Sequence, residues 1–373
     1  MKKMNRTRSL ALFLAVLLVT TLLPMGSFAV DAYPDGVYQG TGMGRNGEIV
    51  LSVTLTDGKI IAIEVVSQNE TPKYWTEAVS LLDAIVAANS ADIDGVSGAT
   101  LSSDGIKAAV NDALRKAADV IGGSGTAADP YVLTSASQLK AFADHVDTGD
   151  TTWVNAVVAL GADIDLSGDT FDPIGAEGKV SQNKDQLFAG TFDGRGHTIS
   201  GLTISGSYDS EANLGLFSTL GGTARIRNVT LTDVQIEAAQ TGAAAKIRAG
   251  GIAGDTQSAS LRAAIVDGCS VSGSVSVSAA DGQAFAGGIL GRAFTRAAVI
   301  NCVTDVQVSS RSSRNYNAAY AGGIAGMTGN ETVAANCAVF GTVSAENTTG
   351  SASDAYAGGI AGMLSSATYN VYA

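Results

Sequence analysis

Residues that bind metals or act as nucleophiles are scarce in this chain, which has three cysteines and two histidines among 373 residues. Cys269, Cys302 and Cys337 form no CxxC pair, no CxxCH haem-attachment signal and no metal-type spacing. A cluster that needs four thiolates cannot be built from three. The histidines, His145 and His197, lie in no ligand-like cluster. These shortages disfavour metal sites and triad hydrolysis, and the sequence predicts neither a metal site nor a catalytic side chain.

Positive charge is also in short supply. The chain has 23 lysines and arginines against 35 aspartates and glutamates, which gives a net charge of −12. Four of the basic residues belong to the first 29 residues, so removal of that segment takes the net charge from −12 to −16. A polyanion such as nucleic acid is therefore not an expected partner.

Residues 1–29 have the three parts of a secretory signal peptide. A basic start is followed by the apolar run Leu10–Leu23 and then by small residues up to Ala29, which suit signal peptidase. The apolar run is short for a membrane-spanning helix and is interrupted by Thr20 and Thr21, so a retained anchor is the less favoured alternative. We expect cleavage near Ala29 and a secreted or extracytoplasmic, cell-surface location.

A β-hairpin is predicted near the start of the mature chain. Residues 48–56 alternate between apolar and polar side chains, as a half-buried strand does. Asp57 and Gly58 form a turn pair, and residues 60–66 read as the second strand. The stretch 42–47 matches the dinucleotide pattern G-x-G-x-x-G, but it leads into a strand rather than a helix, so a glycine-bearing turn between strands is favoured.

Two amphipathic helices are predicted after the hairpin. Apolar residues recur at helical spacing between Tyr74 and Ala88. A second helix is expected to start at Ser103 or Asp104, either of which can cap the free backbone amides. The order of elements is therefore hairpin, helix, loop, helix.

The loop before the second helix contains the most informative stretch, Asp94–Ser103, which reads DGVSGATLSS. It resembles the flavinylation motif of FMN-binding domains, a family that includes the flavoprotein subunits of ion-pumping NADH:quinone and ferredoxin:NAD oxidoreductases. The resemblance implies that the threonine ending S-G-A-T, Thr100, is joined to FMN through a phosphoester. It also implies that four preceding residues belong to the cofactor site: Asp94, Ser97, Gly98 and Ala99.

The resemblance extends over about 85 residues, because further segments come in the family's order. They are Asp35–Tyr38, the turn Asp57–Ile60, and Glu70-Thr71-Pro72, from which Glu70 and Thr71 are assigned to the cofactor site. Covalent FMN attached in this way implies a flavin transferase as the maturation partner. The flavin would do the redox chemistry, since residues 33–120 contain neither cysteine nor histidine, and an electron carrier is favoured over a substrate-specific enzyme.

Glycine recurs periodically in the second part of the chain. The tripeptide Gly-Gly-Ile begins at four positions spaced by 37, 35 and 36 residues: Gly250, Gly287, Gly322 and Gly358. A period near 36 with strands and glycine turns indicates stacked coils. We expect Ile252, Ile289, Ile324 and Ile360 to form an inward column and the three cysteines to form an interior ladder of inert thiols, although a disulfide or redox pair remains an alternative.

The phrases Ala321–Gly326 and Ala357–Gly362 resemble the GLUG repeats of bacterial surface proteins, which are carried on a right-handed parallel β-helix. The sequence therefore predicts a multidomain protein. A small α+β FMN-binding domain at residues 33–120 is followed by a linker at 121–125 and a right-handed parallel β-helix of about 36-residue glycine-rich repeats at 126–373.

The favoured function is extracytoplasmic electron transfer by covalent FMN, with membrane or surface redox partners and with the β-helix as a spacer or docking surface. One alternative is an adhesin or glycan-binding surface protein with cell-wall glycans as partners. A less favoured alternative is a β-helix glycan lyase, for which a run of acidic residues could serve or could bind calcium: Asp163, Asp165, Asp169 and Asp172. Turn and cap roles account for these aspartates equally well.

Overall fold

The computed structural model describes residues 33–168, 170–175, 187–242, 245–257, 263–313, 319–348 and 354–364. The predicted signal peptide at 1–29 lies outside these ranges. The chain divides into two units, with the boundary between Ala117 and Ala118. No helix in the described ranges is long and apolar enough to cross a membrane.

The first unit contains a three-stranded antiparallel sheet in the order β1-β2-β3. Its strands are β1 (Gly36–Met43), β2 (Glu48–Thr56) and β3 (Lys59–Ser67). The predicted hairpin is the β2–β3 pair, and the glycine-bearing turn is the loop that joins β1 to β2, where Met43 pairs with Glu48. The predicted turn between strands implies a strand before it, but the bounds of this strand could not be predicted, because glycine occupies three of its four inward positions: Gly36, Gly40 and Gly42.

Three helices follow the sheet: α1 (Pro72–Ala78), α2 (Leu81–Ala88) and α3 (Thr100–Ala118). The single helix predicted between Tyr74 and Ala88 is thus two short ones. The expected start of the next helix at Ser103 or Asp104 is wrong, because the helix begins at Thr100. The Ser103 N–H donates to the carbonyl of Ala99 at 2.9 Å, which is the first bond of an α-helix, so Ser103 lies within the first turn.

Glycines in β1 let its backbone lie directly against α3. A Cβ atom at Gly40 would come within 2.0 Å of the carbonyl oxygen of Ala109, and one at Gly42 within 2.1 Å of the carbonyl oxygen of Gly105. No larger residue fits without separating the strand from the helix. Behind this contact, the inward residues of β2 and one face of α3 form the core of the unit: Ile49, Leu51, Val53, Leu55, Ile106, Val110 and Ala113.

The second unit is a parallel β-solenoid of about five turns, built from four parallel sheets. Two sheets have five strands each. The first contains Ala212–Leu214, Lys246–Gly250, Gln283–Gly287, Ala319–Gly322 and Ala355–Gly358. The second contains Phe217–Gly221, Ala253–Gln257, Leu290–Thr295, Ala325–Asn330 and Ala361–Leu364. These two sheets are called sheets I and II below.

The other two sheets are larger. A seven-stranded sheet contains Tyr131–Leu133, Val157–Leu160, Thr191–Asp193, Arg225–Arg227, Ala264–Asp267, Ala297–Ile300 and Val333–Ala335. An eight-stranded sheet contains Ile164–Asp165, Thr198–Ser200, Thr203–Tyr208, Thr230–Gln240, Ser270–Ala279, Val303–Ser312, Ala338–Val339 and Val343–Asn347.

Helix α4 (Ala136–Asp147), followed by the short α5 (Thr151–Val154), covers the core at the beginning of the solenoid. Its Phe142 ring contacts the rings of Phe188 and Phe192, with centroid distances of 5.7 and 6.2 Å. Solenoids need such a cap because their first coil otherwise exposes its apolar interior. Residues 121–125, where the sequence predicts a linker, are hydrogen-bonded into this region: the Val132 and Val157 N–H groups donate to the carbonyls of Gly122 and Gly125.

The periodic glycines align as the sequence analysis predicted. Gly250 pairs with Gly287, Gly287 with Gly322, and Gly322 with Gly358. The isoleucine column is also confirmed, since Ile252, Ile289 and Ile324 are fully buried and hydrogen-bonded from coil to coil, with Ile360 next in line. The three cysteines are free thiols, of which Cys269 and Cys302 are buried and Cys337 is partly buried.

Asparagine occupies three of the four aligned turn positions that precede the cysteine ladder, and Gly268 occupies the fourth. Asn228, Asn301 and Asn336 all adopt the left-handed conformation, with φ between 52° and 54°. The side-chain amide of Asn336 donates to Asn301, and that of Asn301 donates to Asp267, at 2.6 and 2.8 Å. Asparagine tolerates this backbone conformation better than most residues, so the turn and the ladder reinforce one another.

Candidate functional site

Thr100 is the first residue of α3 and its side chain is exposed. The helix is preceded by a tight turn in which the Ala99 N–H donates to the Val96 carbonyl at 3.1 Å. Gly98, the third residue of that turn, has φ +88°, a conformation that a type II turn requires at this position and that favours glycine. The S-G-A-T sequence therefore folds as a turn that leads directly into the helix.

Hydrogen bonds to Ser103 fix the turn against the helix. The Ser103 hydroxyl donates to the Ala99 carbonyl at 2.9 Å and accepts from the Val96 N–H at 3.1 Å. Ser103 is fully buried. The first N–H groups of the helix, beginning with that of Thr100, have no partner within the helix because no preceding turn supplies a carbonyl. They form an electropositive end beside the exposed hydroxyl.

Glu70 joins the helix start to the β1–β2 loop. One carboxylate oxygen accepts from the Asn46 N–H at 2.8 Å, and the other accepts from the Ser102 hydroxyl. The side-chain amide of Asn46 also donates to the Thr71 hydroxyl at 2.9 Å. Glu70 and Ser102 are both buried, so these bonds are shielded from water.

The pKa of Glu70 lies below its ordinary value. Burial by itself raises the pKa, but hydrogen bonds from the Asn46 N–H and the Ser102 hydroxyl outweigh it, together with the backbone and charge of Arg45. Glu70 is therefore an ionised carboxylate that holds two walls of the site in place.

Those walls enclose a cleft of about 210 Å³ beside Thr100. It is lined by Arg45, by Tyr74 and by the turn and helix start: Gly98, Ala99, Thr100, Leu101 and Ser102. The Arg45 guanidinium lies over the Tyr74 ring, with 4.8 Å between its carbon and the ring centroid. The cleft thus combines a cation, an aromatic face, a helix N-terminus and a free hydroxyl.

The residues assigned to the cofactor site from the sequence have three different positions. Gly98, Ala99 and Thr100 line the cleft. Glu70 and Thr71 lie behind its walls and position the loop that carries Arg45. Asp94 and Ser97 are exposed residues of the loop before the helix and are not among the lining residues.

Sequence reasoning missed Arg45 and Ser102 as components of the cleft, and Arg45 stood out only as one letter of a false dinucleotide motif. Tyr74 and Trp75 were candidates to wall the flavin ring, although a core role at a helix start was favoured for both. Of these two, Tyr74 lines the cleft and Trp75 is not among the lining residues. The sequence signal that could have pointed to the cleft is the order of segments shared with FMN-binding domains. That order places the β1–β2 loop and α1 in the same domain as Thr100, but it does not show that these segments meet at one cleft.

A second recess in the first unit, of about 400 Å³, lies between the α2–α3 connection and the middle of α3. Its polar groups serve the fold. The Lys107 ammonium donates to the Ile93 carbonyl at 3.0 Å, and the Asn89 side-chain carbonyl accepts from the Ile60 N–H at 2.8 Å. The recess does not include Thr100.

Two of the four aspartates considered for calcium or lyase chemistry, Asp163 and Asp165, have structural partners. Asp163 accepts from the Thr198 N–H and Asp165 from the Ser167 N–H, both at 2.9 Å. Among the described residues, no three histidine, cysteine, aspartate or glutamate side chains converge to hold a metal ion. Asp169 lies outside the described residues.

Comparison with known proteins supports a flavin site. Residues 44–115 match the family model of the FMN-binding domain. An uncharacterized protein of Treponema pallidum is 41% identical over 83 residues, 22% of this chain and 23% of that protein. Halomucin of Haloquadratum walsbyi is 29% identical over 178 residues, 46% of this chain and 2% of that protein. The chain therefore spans less than a quarter of either relative.

Among solved structures, one match is a "putative immunoglobulin A1 protease" from Bacteroides ovatus. It aligns with a TM-score of 0.40 at 21% identity, over 67% of this chain and 81% of that one. The chain thus combines a region that matches the FMN-binding domain with a parallel β-solenoid. The match supports FMN as the ligand of the first unit.

Loss of the Glu70 carboxylate should weaken the first unit. Glu70→Ala leaves the Asn46 N–H and the Ser102 hydroxyl without their acceptor, and we expect a loss of about 2–3 kcal/mol in the free energy of unfolding. Urea denaturation can follow Trp75 fluorescence in a Trp153→Phe background, since these are the only two tryptophans. The exposed carboxylate Glu64, changed to Gln, is the matched control.

The same residue predicts an acid dependence. Because the folded pKa of Glu70 is lowered, its contribution to stability is complete above the unfolded value and disappears as the pH falls through the folded value. The stability difference between the wild type and Glu70→Gln should therefore shrink as the pH falls below about 4.5, where the unfolded carboxyl becomes protonated. A difference that stays constant down to pH 3 would contradict the ionised state assigned here.

Proposed function

We propose that this chain is an exported electron carrier that holds one FMN covalently on Thr100. The observation that carries the proposal is the exposed Thr100 hydroxyl, which opens into a cleft at the start of α3 within the region that matches the FMN-binding domain. When bound, FMN supplies a ring that accepts and releases electrons, and the protein supplies position and electrostatic environment.

The residues present fit a flavin nucleotide. Phosphate is favoured at a helix N-terminus, where unpaired N–H groups and the helix dipole meet negative charge. The guanidinium of Arg45 adds a positive charge at the wall of the cleft. Tyr74 offers an aromatic face beside it.

Thr100 is also the hydroxyl of the helix start that is free to react. The Ser102 hydroxyl donates to Glu70 and the Ser103 hydroxyl to Ala99, and both side chains are buried. A transferase that acts on the folded domain would have to break a buried hydrogen bond to use either of them. Thr100 needs no such opening, which supports its assignment as the acceptor.

Covalent attachment suits a protein that works outside the cytoplasm. A reversible site empties when the ligand concentration falls well below its Kd, whereas an ester to the side chain keeps the cofactor at any concentration. The leader at 1–29 supports export. In this proposal the solenoid acts as a spacer or a docking surface at the cell surface, and electrons pass between a membrane donor and an external acceptor.

The test is expression of the full chain, with its own leader, together with a flavin transferase, followed by purification from the extracytoplasmic fraction. After denaturation the protein should keep flavin fluorescence. Its mass should increase by that of FMN minus water, since ester formation removes one water from the hydroxyl and the phosphate. It should also be reduced by dithionite and reoxidised by an added acceptor.

Two results would contradict the proposal. One is a colourless protein after exposure to an active transferase, and the other is retention of the chain in the cytoplasm. A colourless exported chain that binds cell-wall glycans would instead support the adhesin alternative.

A further inference from the structure

Arg45 is the charged residue among the described residues that line the Thr100 cleft. It lies in the loop between β1 and β2, which closes with the Gly44 N–H donating to the Gly47 carbonyl at 2.8 Å. Asn46, the next residue, is fixed by Glu70 and Thr71. The backbone that carries the guanidinium is therefore anchored on both sides, although the Arg45 side chain itself is exposed.

The Arg45 guanidinium lies over the ring of Tyr74, with its carbon 4.8 Å from the ring centroid. A cation over an aromatic face is attracted to it, and this contact keeps the charge at the wall of the cleft rather than in open solvent. An arginine also stays positively charged at every working pH. A positive charge thus borders the space in which a group attached to Thr100 would lie.

We propose that Arg45 sets the reduction potential of the flavin and raises it. This inference rests on the proposed function. Uptake of two electrons with one proton adds one negative charge to the flavin ring, and a guanidinium nearby stabilises that charge relative to the oxidised ring. Because the guanidinium stabilises the reduced flavin more than the oxidised flavin, it shifts the equilibrium towards the reduced flavin.

Three neighbouring charges are to be compared with Arg45. One of them, the carboxylate of the exposed Glu77, lies near Gly98 but is not among the lining residues. Lys73 also approaches the Tyr74 ring, with its ammonium 5.8 Å from the centroid, but it does not line the cleft. Glu70 has the opposite charge, but it lies behind the wall and is engaged by the Asn46 N–H and the Ser102 hydroxyl. Lys73 is therefore a matched control for a cation in the same neighbourhood.

The experiment is a redox titration of purified, flavinylated full-length protein at low ionic strength and mildly alkaline pH, with dithionite as the reductant. Covalent flavin is first measured by mass in each variant. Arg45→Gln should weaken the preference for the reduced flavin about tenfold, which lowers the midpoint potential of a two-electron couple by about 30 mV. Arg45→Lys, which keeps the charge, and Lys73→Gln should both stay close to the wild type.

Added salt should reduce the difference between the wild type and Arg45→Gln, because an exposed charge is screened. Equal potentials in the wild type and Arg45→Gln would overturn the inference, as would an equal drop in Lys73→Gln. An Arg45→Gln protein that takes up no FMN would also overturn it, since Arg45 would then be needed for attachment. If the wild type itself carries no covalent flavin, the proposed function fails first, and the mass measurement distinguishes that outcome.

Discussion

Thr100→Ala should leave the protein without covalent flavin. The substitution removes the hydroxyl that would form the ester, and the nearest alternatives on the helix, Ser102 and Ser103, are buried and hydrogen-bonded. Incorporation should fall below detection, both as fluorescence of the denatured protein and as the mass increase of FMN minus water. The fold should be unaffected, because the Thr100 side chain is exposed and alanine is a better helix former than threonine.

Two controls make this result specific to the Thr100 hydroxyl. Thr100→Ser keeps a hydroxyl at the same position, so it should retain covalent flavin. Ser97→Ala removes the other exposed hydroxyl of the S-G-A-T turn and should load like the wild type. Flavin on the Thr100→Ala protein would show that another side chain is the acceptor. Its loss in Ser97→Ala with retention in Thr100→Ala would move the site to Ser97.

The candidate site was predictable from the sequence to the extent that it is local. S-G-A-T stands out because ten consecutive letters, Asp94–Ser103, resemble a family motif and because segments further upstream come in that family's order. The start of the helix at Thr100 was not predictable from the sequence. Ser103 looks like a capping residue, but its hydroxyl donates to the Ala99 carbonyl and accepts from the Val96 N–H, both earlier in the chain. The position of Arg45 at the cleft depends on a contact between segments that are distant in the sequence, and the spacing of apolar residues does not predict such contacts.

The same distinction applies to the solenoid. A period of 35 to 37 residues determines which glycines and isoleucines stack, since residues one period apart occupy the same position in successive coils. The period does not determine what a column is made of. Between sheets I and II, the aligned positions change from polar and charged side chains in the earlier coils to aromatic and methionine side chains in the later coils. The period does not predict which residue each coil has at an aligned position.

In sheet I, aligned positions are occupied in turn by Asn213, Arg248, Phe285, Tyr320 and Tyr356. In sheet II the facing positions are Thr219, Asp255, Arg292, Met327 and Met363. The later coils stack aromatic rings, with centroids 4.8 Å apart for Phe285 and Tyr320 and 5.5 Å apart for Tyr320 and Tyr356. The earlier coils instead enclose charges.

Asp255 is the centre of this charged cluster and is 1% exposed. It accepts from the Arg292 guanidinium and lies 3.8 Å from the Nε of Arg248, whose side chain is 3% exposed. The other end of the Arg248 guanidinium donates to Asn213 and Glu211 at 2.9 and 3.0 Å. Arg292 thus depends on one deeply buried carboxylate, which it shares with Arg248, whereas Arg248 has Glu211 as a second partner.

Asp255→Ala should destabilise the solenoid by about 3–5 kcal/mol, because it removes the carboxylate partner of Arg292 and one of the two carboxylates beside the buried Arg248. In a unit of this size we expect the thermal midpoint to fall by about 10 °C, measured by calorimetry or far-UV circular dichroism. Glu346→Ala is the control, since it removes a carboxylate from an exposed ion pair with Arg311 and should cost less than about 1 kcal/mol.

The later coils of the repeat indicate which substitutions should restore the stability lost in Asp255→Ala. The triple substitution Arg248→Tyr, Asp255→Met, Arg292→Met copies the tyrosine and methionines of the later coils into the aligned positions. Replacing a buried ion cluster with well-packed apolar residues is often neutral or stabilising, so the triple variant should recover most of the lost midpoint. If Asp255→Ala has the same thermal midpoint as the wild type, then the charged cluster is hydrated, contrary to what its burial indicates. If the triple variant is as unstable as the single one, the charges select the packing of sheets I and II, and apolar side chains cannot take their place.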